Sequence, residues 1–181
     1  MSSKKLKGTK TEANLQAAFA GESQARNKYD YYASKAKQDG YEQIAAFFTE
    51  TALNEKEHAK IWFKLLHDGI PNTETNLLDA ADGENFEHTK MYAQFEKEAR
   101  EEGFEDIANL FKGVGHIELT HEQRYRKLLS EIKNKTVFNK PIDITWICRN
   151  CAHPHHGKTP PKLCPICNHP QSFFEQKQNN Y

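Results

Sequence analysis

Residues 36–45 read Ala36-Lys-Gln-Asp-Gly40-Tyr-Glu42-Gln-Ile44-Ala45, and residues 99–108 read Ala99-Arg-Glu-Glu-Gly103-Phe-Glu105-Asp-Ile107-Ala108. The two stretches are alike at a fixed offset of 63 residues, and each has its glycine at the same point. The same offset carries Tyr29 to Tyr92, Phe48 to Phe111, Glu55 to Glu118 and His58 to His121. Two helical hairpins of one ancestry, stacked about a pseudo-twofold axis, would give an antiparallel bundle.

The ends of the helices are marked by capping and breaking residues. Thr9-Lys-Thr-Glu12 has the spacing of a capping box at a helix N-terminus. Gly40 and Gly103 each follow a charged, periodic run, as helix-ending glycines do, and Gly69-Ile-Pro71 closes another run. These signals predict four helices, at about 10–38, 42–68, 75–101 and 104–133.

Each predicted helix carries ionisable residues in the middle of its apolar stripe. The stripe of the second helix is Ile44, Phe48, Thr51, Trp62 and Leu65, and that of the fourth is Ile107, Phe111, Val114, Tyr125 and Leu128. The ionisable residues within the four stripes are Glu22, Glu55, His58, Glu84, Glu87, Glu118 and His121. We expect these stripes to be buried, and an unpaired buried carboxylate costs several kcal/mol. Arg26 is the nearest cationic side chain, so two divalent metal ions are the better source of compensating charge.

The spacing of these residues makes the metal hypothesis more specific. Glu55-x-x-His58 and Glu118-x-x-His121 each place a carboxylate and an imidazole one helical turn apart, ~60° around the helix. Two such motifs, with one Glu from each of the other two helices, form the di-metal pattern of ferritin-like bundles. The alternative is a set of surface salt bridges on misjudged helix faces, but the phase agrees on all four helices.

Two interpretations remain open for each of three further residues near this pattern. Glu87 lies one turn after Glu84, where it is either a ligand or a solvated helix residue. Tyr29 follows Glu22 by seven residues on the same face, and Tyr92 is its repeat partner. The two tyrosines are either core aromatics or phenol donors to ligand carboxylates. The two histidines that follow neither pair spacing, predicted to be non-ligands, are His88 and His116.

All four cysteines lie near the C-terminus, in Cys148-Arg-Asn-Cys151 and Cys164-Pro-Ile-Cys167. Two Cys-x-x-Cys knuckles predict a tetrahedral tetrathiolate metal site, whereas a disulfide framework would spread its bridges over the fold. Spacing alone does not decide between structural zinc and redox-active iron. Iron is favoured because zinc would give a di-iron bundle no electron path. In residues 134–145 the apolar residues no longer follow a helical spacing, which predicts a linker. His153 and His156 are expected to be exposed in a loop.

Composition excludes several other classes of protein. Lys+Arg and Asp+Glu both number 25, and this zero net charge gives no indication of nucleic-acid binding. No stretch approaches the ~18 apolar residues of a membrane helix, and residues 1–8 lack the apolar core of a secretory signal. We therefore expect a cytoplasmic protein that contacts neither nucleic acid nor membrane.

Six segments together resemble the rubrerythrin family, over about residues 6–174. They are Phe19-Ala-Gly-Glu22-Ser-Gln-Ala-Arg26-Asn, Glu55-x-x-His58-Ala, Gly83-Glu84-x-x-Glu87-x-Thr-x-Met91-Tyr92, Ala99-Arg-Glu-Glu-Gly103-Phe, Trp146-x-Cys148-Arg-Asn-Cys151 and Cys164-Pro-x-Cys167-x-His-Pro170. The resemblance implies an all-α, ferritin-like four-helix bundle at residues 1–138. A small, β-rich, rubredoxin-like metal knuckle is implied at residues 139–181.

The resemblance also implies the roles of the candidate residues. Two iron ions would be held by Glu22, Glu55, His58, Glu84, Glu87, Glu118 and His121. Glu87 and His58 would exchange on one iron as its oxidation state changes, and Tyr29 and Tyr92 would donate hydrogen bonds to ligand carboxylates. A third iron ion would be held by Cys148, Cys151, Cys164 and Cys167.

The activity implied by the resemblance is reduction of hydrogen peroxide to water. Electrons would come from rubredoxin or an NAD(P)H-linked reductase, and a head-to-tail homodimer would place one chain's knuckle beside its partner's di-iron site. The competing hypotheses are a ferroxidase or oxygen reductase, and an iron-binding protein with a structural zinc knuckle. Two departures from the family pattern stand out: Ala152 replaces the usual glycine, and the segment at about 69–74 is shorter than in some relatives.

Overall fold

The computed structural model describes residues 5–178 of the chain. It divides into two compact units, Met1–Asn72 and Thr73–Tyr181. Helices α1 (Lys10–Gln38) and α2 (Glu42–His67) form a hairpin in the first unit. One of the two bonds of the predicted capping box is present, with the Glu12 N–H donating to the hydroxyl of the N-cap residue Thr9 at 3.1 Å. The Glu12 carboxylate in turn accepts from the N–H of Gly8 at 2.6 Å.

The second unit contains another helical hairpin, followed by the cysteine knuckle. Its first arm is a continuous helix made of α3 (Thr73–Phe86), a π-helical segment (Glu87–Met91) and α4 (Tyr92–Glu101). Its second arm is α5 (Glu105–Lys133). The four predicted helices are therefore confirmed, but the π-helical segment was not predicted.

The turns of the two hairpins repeat each other closely. Gly40 and Gly103 have φ of +83° and +84°, a left-handed conformation that glycine adopts without a steric penalty. The Tyr41 N–H donates to the Ala36 carbonyl at 2.8 Å, and the Phe104 N–H donates to the Ala99 carbonyl at 2.8 Å. The internal repeat read from the sequence thus extends to the backbone hydrogen bonds.

Within each hairpin, the buried positions are mostly small residues seven apart. They are Ala45, Ala52 and Ala59 in α2, and Ala108, Gly115, Glu122 and Leu129 in α5. At Gly115 an added Cβ would lie 3.1 Å from the Cβ of Tyr92, so the helices approach closely there. A seven-residue period keeps one narrow seam facing the partner helix.

The expectation that the large apolar stripes are buried is wrong for this chain at several positions. Ile44 and Leu65 of α2 are 48% and 38% exposed, and Ile107 and Leu128 of α5 are 45% and 42% exposed. The reason is that the hairpin contact uses the adjacent stripe of small residues, which permits closer packing. The large apolar side chains consequently lie on a second face of each hairpin.

The knuckle is a three-stranded antiparallel sheet of order β2-β1-β3. Its strands are β1 (Ile144–Cys148), β2 (Pro154–Gly157) and β3 (Phe174–Gln176). Trp146 is 1% exposed, packs with Phe174 and two cysteines, and donates its indole N–H to the Gly157 carbonyl at 2.8 Å. Lys140 pairs with Glu131 of α5 at 2.9 Å, which ties the knuckle to the end of that helix.

The helices carry too many charged side chains to span a membrane. In residues 5–178, none has the long apolar stretch that crossing a bilayer requires.

Candidate metal centres

The first hairpin holds three of the seven predicted di-iron ligands. Glu22 of α1 and Glu55 and His58 of α2 bring their ligand atoms within 4.8 Å of one another. His58 Nδ1 is 2.8 Å from Glu55 Oε2 and 3.8 Å from Glu22 Oε2. Arg26 pairs with Asp30 at 3.9 Å instead of with these carboxylates.

The second hairpin holds an equivalent group, made of Glu84, Glu118 and His121. His121 Nδ1 is 2.7 Å from Glu118 Oε2 and 3.7 Å from Glu84 Oε2. Each distance is within 0.1 Å of its counterpart in the first hairpin. The internal repeat therefore extends to the candidate ligand side chains. Each hairpin contains one group of two carboxylates and one imidazole, which we call a half-site.

In each half-site, one carboxylate has a raised pKa. A hydrogen bond with Glu55, together with burial, raises the pKa of Glu22 above its ordinary value. Burial, followed by the charge of Glu118, raises the pKa of Glu84. Neighbouring carboxylates repel one another when both are ionised, and a bound proton or cation reduces this repulsion. A metal ion would therefore stabilise the ionised carboxylates of both half-sites.

The geometry of each half-site fits a metal ion. Oxygen and nitrogen ligands about 2.0–2.2 Å from one metal lie roughly 3–4 Å from each other. The observed separations between imidazole nitrogen and carboxylate oxygen, 2.7–3.8 Å, lie close to this range. A donor set of carboxylate oxygen and imidazole nitrogen suits iron and similar divalent ions.

The π-helical segment accommodates one extra residue in the second hairpin. Glu22 precedes Tyr29 by seven residues, whereas Glu84 precedes Tyr92 by eight. A π-helical turn closes i→i+5 hydrogen bonds and so takes up one residue without changing the phase of the helix beyond it. The two tyrosine rings accordingly have matching positions in the two hairpins. The ring centroids of Tyr29 and Phe48 are 6.1 Å apart with an interplanar angle of 33°, and those of Tyr92 and Phe111 are 6.1 Å apart with an angle of 36°.

Glu87 begins the π-helical segment, and the first hairpin has no carboxylate in the corresponding place. Glu87 is outside the close group of Glu84, Glu118 and His121, but its charge helps to raise the pKa of Glu84. Burial, followed by the charges of Glu87 and Glu118, raises the pKa of Tyr92. Glu87 and Tyr92 therefore lie near enough to the second half-site for its charges to act on them. The unequal spacings in the sequence were the overlooked sign of this asymmetry.

A buried ionic cluster beside the π-helical segment was also missed by sequence reasoning. Glu122 is 7% exposed and accepts hydrogen bonds from Arg126 Nε at 2.6 Å, Asn85 Nδ2 at 3.1 Å and His88 Nε2 at 2.9 Å. Arg126, with help from Asn85, lowers the pKa of Glu122 to about 2. Asn85 and His88 neighbour Glu84 and Glu87 in sequence, so the cluster fixes the segment that carries both carboxylates to α5.

The first hairpin has apolar residues where the second has this cluster. The counterparts of Glu122 and Arg126 of α5, taken 63 residues earlier in α2, are Ala59 and Phe63. The ionic cluster thus occurs only in the hairpin that contains the extra residue. In the described chain, neither His88 nor His116 belongs to a close group of metal-binding side chains.

The four cysteine sulfurs form the third centre. Cys148 and Cys167 have sulfurs 3.7 Å apart, Cys151 and Cys164 have sulfurs 3.6 Å apart, and all four cysteines are free of disulfides. Sulfurs at about 2.3 Å from a tetrahedral metal lie ~3.8 Å apart. The N–H of His169 lowers the pKa of Cys167 to about 6. The N–H of His153 lowers the pKa of Cys151, but desolvation and the other sulfurs raise it to about 12. Four sulfurs this close together repel one another when they are ionised, so a bound cation is needed for all of them to ionise.

The two knuckle turns share one geometry. Ala152 and Asn168 have φ of +61° and +56°, and their N–H groups donate to the carbonyls of Cys148 and Cys164 at 2.8 and 2.9 Å. The substitution of alanine for the family's glycine therefore falls at a left-handed position. The two histidines predicted to be exposed in a loop, His153 and His156, lie outside the ligand group. The prediction is wrong in part, because His153 is half-buried and the exposed His156 belongs to strand β2.

Comparison with known proteins accounts for both parts of the chain. A family model described as rubrerythrin matches residues 13–129, and one described as rubrerythrin, rubredoxin-like domain, matches residues 146–175. Rubrerythrin of Porphyromonas gingivalis is 47% identical over 190 residues, covering 98% of this chain and 95% of that protein. Rubrerythrin-1 of Clostridium acetobutylicum is 45% identical over 194 residues (98% and 100%), and rubrerythrin of Nitratidesulfovibrio vulgaris is 45% identical over 184 residues (95% and 96%). The chain therefore belongs to the rubrerythrin family, iron-dependent oxidoreductases with a di-iron carboxylate site and a rubredoxin-like metal site.

Proposed function

We propose that this protein reduces hydrogen peroxide to water, with electrons relayed through the iron–tetrathiolate knuckle. The observation that carries the proposal is the presence, in one chain, of two matched carboxylate–imidazole half-sites and a four-cysteine centre. Reduction of one peroxide consumes two electrons and two protons and yields two waters. A pair of ferrous ions bound by the half-sites would supply those two electrons.

The side chains of the half-sites would manage charge and protons. Glu22, Glu55, Glu84 and Glu118 offset the charge of two cations, and His58 and His121 bind one each. The phenol of Tyr92 is protonated at neutral pH, and burial raises its pKa further above the ordinary 10, so it can donate a hydrogen bond to a neighbouring carboxylate. Glu87 is the additional carboxylate that can follow a change in charge on the adjacent ion.

The knuckle would supply electrons one at a time. Leu163 and Ile166, next to the second cysteine pair, are 59% and 68% exposed. Exposed apolar side chains beside a redox centre provide a docking surface for an electron donor such as rubredoxin or an NAD(P)H-linked reductase. In a homodimer, the same surface would allow the knuckle of one chain to serve its partner.

The test follows the visible iron–thiolate absorption of the anaerobically reduced protein after one equivalent of hydrogen peroxide. We expect the band to bleach on reduction and to return rapidly with peroxide but slowly with oxygen. A faster return with oxygen would indicate an oxygen reductase. Absence of the band, or a bleached state that survives peroxide, would indicate zinc in the knuckle or an uncoupled site.

A variant of the knuckle distinguishes the role of the knuckle in turnover from that of the half-sites. Cys151→Ser removes one knuckle ligand and leaves both half-sites intact, so one stoichiometric turnover should survive while steady-state turnover is lost. His156→Ala, at an exposed knuckle residue outside the ligand group, is the control and should retain both. Unchanged steady-state turnover in Cys151→Ser would exclude the knuckle as the electron relay.

A further inference from the structure

We propose that Trp62 of α2 is a positioning residue for the ligand carboxylate of Glu22. Its buried indole N–H donates a hydrogen bond to that carboxylate when the first half-site holds a metal ion. The proposal rests on the family's di-iron site but not on the substrate, so it can fail while peroxide reduction stands. All of the side chains concerned belong to the first hairpin.

The observation that carries the proposal is a buried donor without an acceptor. Among residues 5–178, the indole nitrogen of Trp62 is the one buried side-chain polar atom that forms no hydrogen bond. Protein interiors rarely contain such a group, because a buried donor loses its hydrogen bonds with water and gains none in return. The other tryptophan, Trp146, has the usual arrangement, with its indole N–H donating to the Gly157 carbonyl at 2.8 Å. The Trp62 N–H therefore lacks a partner that its surroundings have to provide.

Trp62 lies on the metal-binding face of α2. It follows Glu55 by seven residues and His58 by four, and these spacings place the three side chains on one face of the helix. Glu22 of α1 reaches the same face, since its carboxylate lies 3.8 Å from His58 Nδ1. The unpaired N–H is thus on the side of α2 where the hydrogen-bond acceptors are carboxylates.

The indole N–H of Trp62 acts on Glu22 in particular. A hydrogen bond with Glu55, followed by burial, raises the pKa of Glu22. The charge of His58 and the N–H of Trp62 act in the opposite direction and lower it. A donor lowers the pKa of a carboxyl only from close by, because it favours the ionised form. The Trp62 N–H is therefore near the Glu22 oxygens, although it forms no hydrogen bond with them.

A metal ion would turn this proximity into a hydrogen bond. Glu22 and Glu55 bond to each other in the structure, and His58 Nδ1 lies 2.8 Å from Glu55. A cation between these groups attracts both carboxylates and replaces the bond between them. A carboxylate that binds the ion through one oxygen keeps free lone pairs on the other. Neighbouring donors orient ligand carboxylates through such lone pairs, and the Trp62 N–H is the donor available to Glu22.

The chemistry of indole restricts Trp62 to this role. An indole N–H donates a hydrogen bond but accepts none, so Trp62 is neither a metal ligand nor a proton acceptor. A side chain that only filled space could equally be phenylalanine, which has no donor to leave unpaired. At the equivalent position of the second hairpin the repeat places Tyr125, whose hydroxyl can both donate and accept. The first half-site therefore has a dedicated donor where the second does not.

Nuclear magnetic resonance of the indole groups provides the test. The chain contains two tryptophans, so ¹⁵N-tryptophan labelling gives two indole signals, which the variant Trp62→Phe assigns. Diamagnetic zinc serves as the probe: the first equivalent fills the four-cysteine site, whose thiolates prefer zinc, and further zinc loads the half-sites. Because hydrogen bonding deshields a donor proton, we expect the Trp62 signal to move downfield only in the second stage. The Trp146 signal should stay in place in that stage. A Trp62 signal that does not move as the half-sites fill would overturn the proposal.

Zinc affinity gives a second measurement. Trp62→Phe keeps an aromatic ring in the stripe but removes the N–H, so we expect zinc to bind the half-sites roughly tenfold more weakly. Phe63→Leu is the matched control, because Phe63 is adjacent in α2 but packs against Phe19, with ring centroids 5.8 Å apart. The control should bind zinc as the wild type does.

Circular dichroism of both variants checks that the helices are intact. Unchanged zinc affinity in Trp62→Phe, or an equal loss in Phe63→Leu, would overturn the proposal. If Trp62→Phe does not fold, the indole signal of the wild-type protein still decides, with Trp146→Phe providing the assignment. Neither measurement involves peroxide, so both are independent of the proposed activity.

Discussion

Ala152 and Glu122 show how single residues depart from the pattern around them. Ala152 occupies a left-handed position at φ +61°, which disfavours any side chain with a Cβ. Glu122 stands in a seam of small residues and is buried by its partners rather than by apolar packing. Each departure gives a prediction about stability.

Replacing Ala152 with glycine should stabilise the knuckle. The substitution relieves a steric cost on the order of 1 kcal/mol and removes no ligand. Urea unfolding of the metal-loaded protein, followed by the iron–thiolate absorption, measures the gain. Ala17→Gly, at an exposed site inside α1, is the matched control and should instead lose up to about 1 kcal/mol. A loss of stability in Ala152→Gly would contradict the strain argument.

Replacing Glu122 with glutamine should destabilise the metal-free protein in a pH-dependent way. The folded pKa of about 2 lies below the ordinary 4.5, so the charged form stabilises the fold. This contribution, up to about 3 kcal/mol, is fully present above pH ~4.5 and is lost as the pH falls toward ~2.

Urea unfolding at neutral pH and at about pH 3.5 gives the difference between wild type and Glu122→Gln. We expect a smaller difference at the lower pH. Glu50→Gln, at an exposed position of α2, should change stability by less than ~0.5 kcal/mol at either pH. A difference that does not vary with pH would mean that the charge of Glu122 is not what stabilises the fold.

At the scale of elements, the two hairpins differ by one residue and one ionic cluster. The π-helical segment Glu87–Met91 keeps Tyr92 in phase with Tyr29 while adding a carboxylate that the first hairpin lacks. The Glu122 cluster fixes this segment against α5. An otherwise symmetric pair of half-sites therefore becomes asymmetric, which is what a site with two inequivalent ions requires.

Deleting Thr89 should convert the π-helical segment to α-helix without unfolding the hairpin. The spacing from Glu84 to Tyr92 would become seven, as in the first hairpin, while Glu87 would be turned away from its present direction. We expect normal helix content and a 10–100-fold weaker affinity for one of the two ions, comparable to Glu87→Ala. Circular dichroism and metal titration measure both effects.

The matched control is deletion of Lys28, between Glu22 and Tyr29, where α1 has no π-helical turn to absorb it. That deletion rotates the rest of α1 out of phase and should destabilise its hairpin strongly. Equal tolerance of the two deletions would contradict the assigned role of the π-helical segment.

At the scale of the whole molecule, the exposed apolar side chains of both hairpins, such as Ile44 and Ile107, can link stability to association of the chain. If the homodimer that the family resemblance implies covers these side chains, they are shielded from water only after association. The midpoint of thermal unfolding should then rise with protein concentration. Differential scanning calorimetry of the metal-free protein over a hundredfold range of concentration measures this. A constant midpoint would indicate that a single chain covers its own faces.

The sequence alone determined the helices, the repeat and the candidate ligands. Capping residues and glycines act locally, and the Glu-x-x-His spacing places two ligands on one helix face whatever surrounds it. The paired cysteines likewise define a metal site within one short segment. The identities of the candidate ligands were therefore available from the sequence, together with the repeat that relates the two groups.

Only the tertiary structure decided which stripe each hairpin buries, where the extra residue goes, and what surrounds Glu122. Periodicity cannot distinguish a seam of small residues from the large apolar stripe beside it, because both repeat with the helix. Arg126 lies only four residues from Glu122, but its other two partners, Asn85 and His88, lie 37 and 34 residues away, beyond any local pattern. The physical reason is that close packing and buried ion pairs depend on how neighbouring helices approach, which spacing along one helix does not encode.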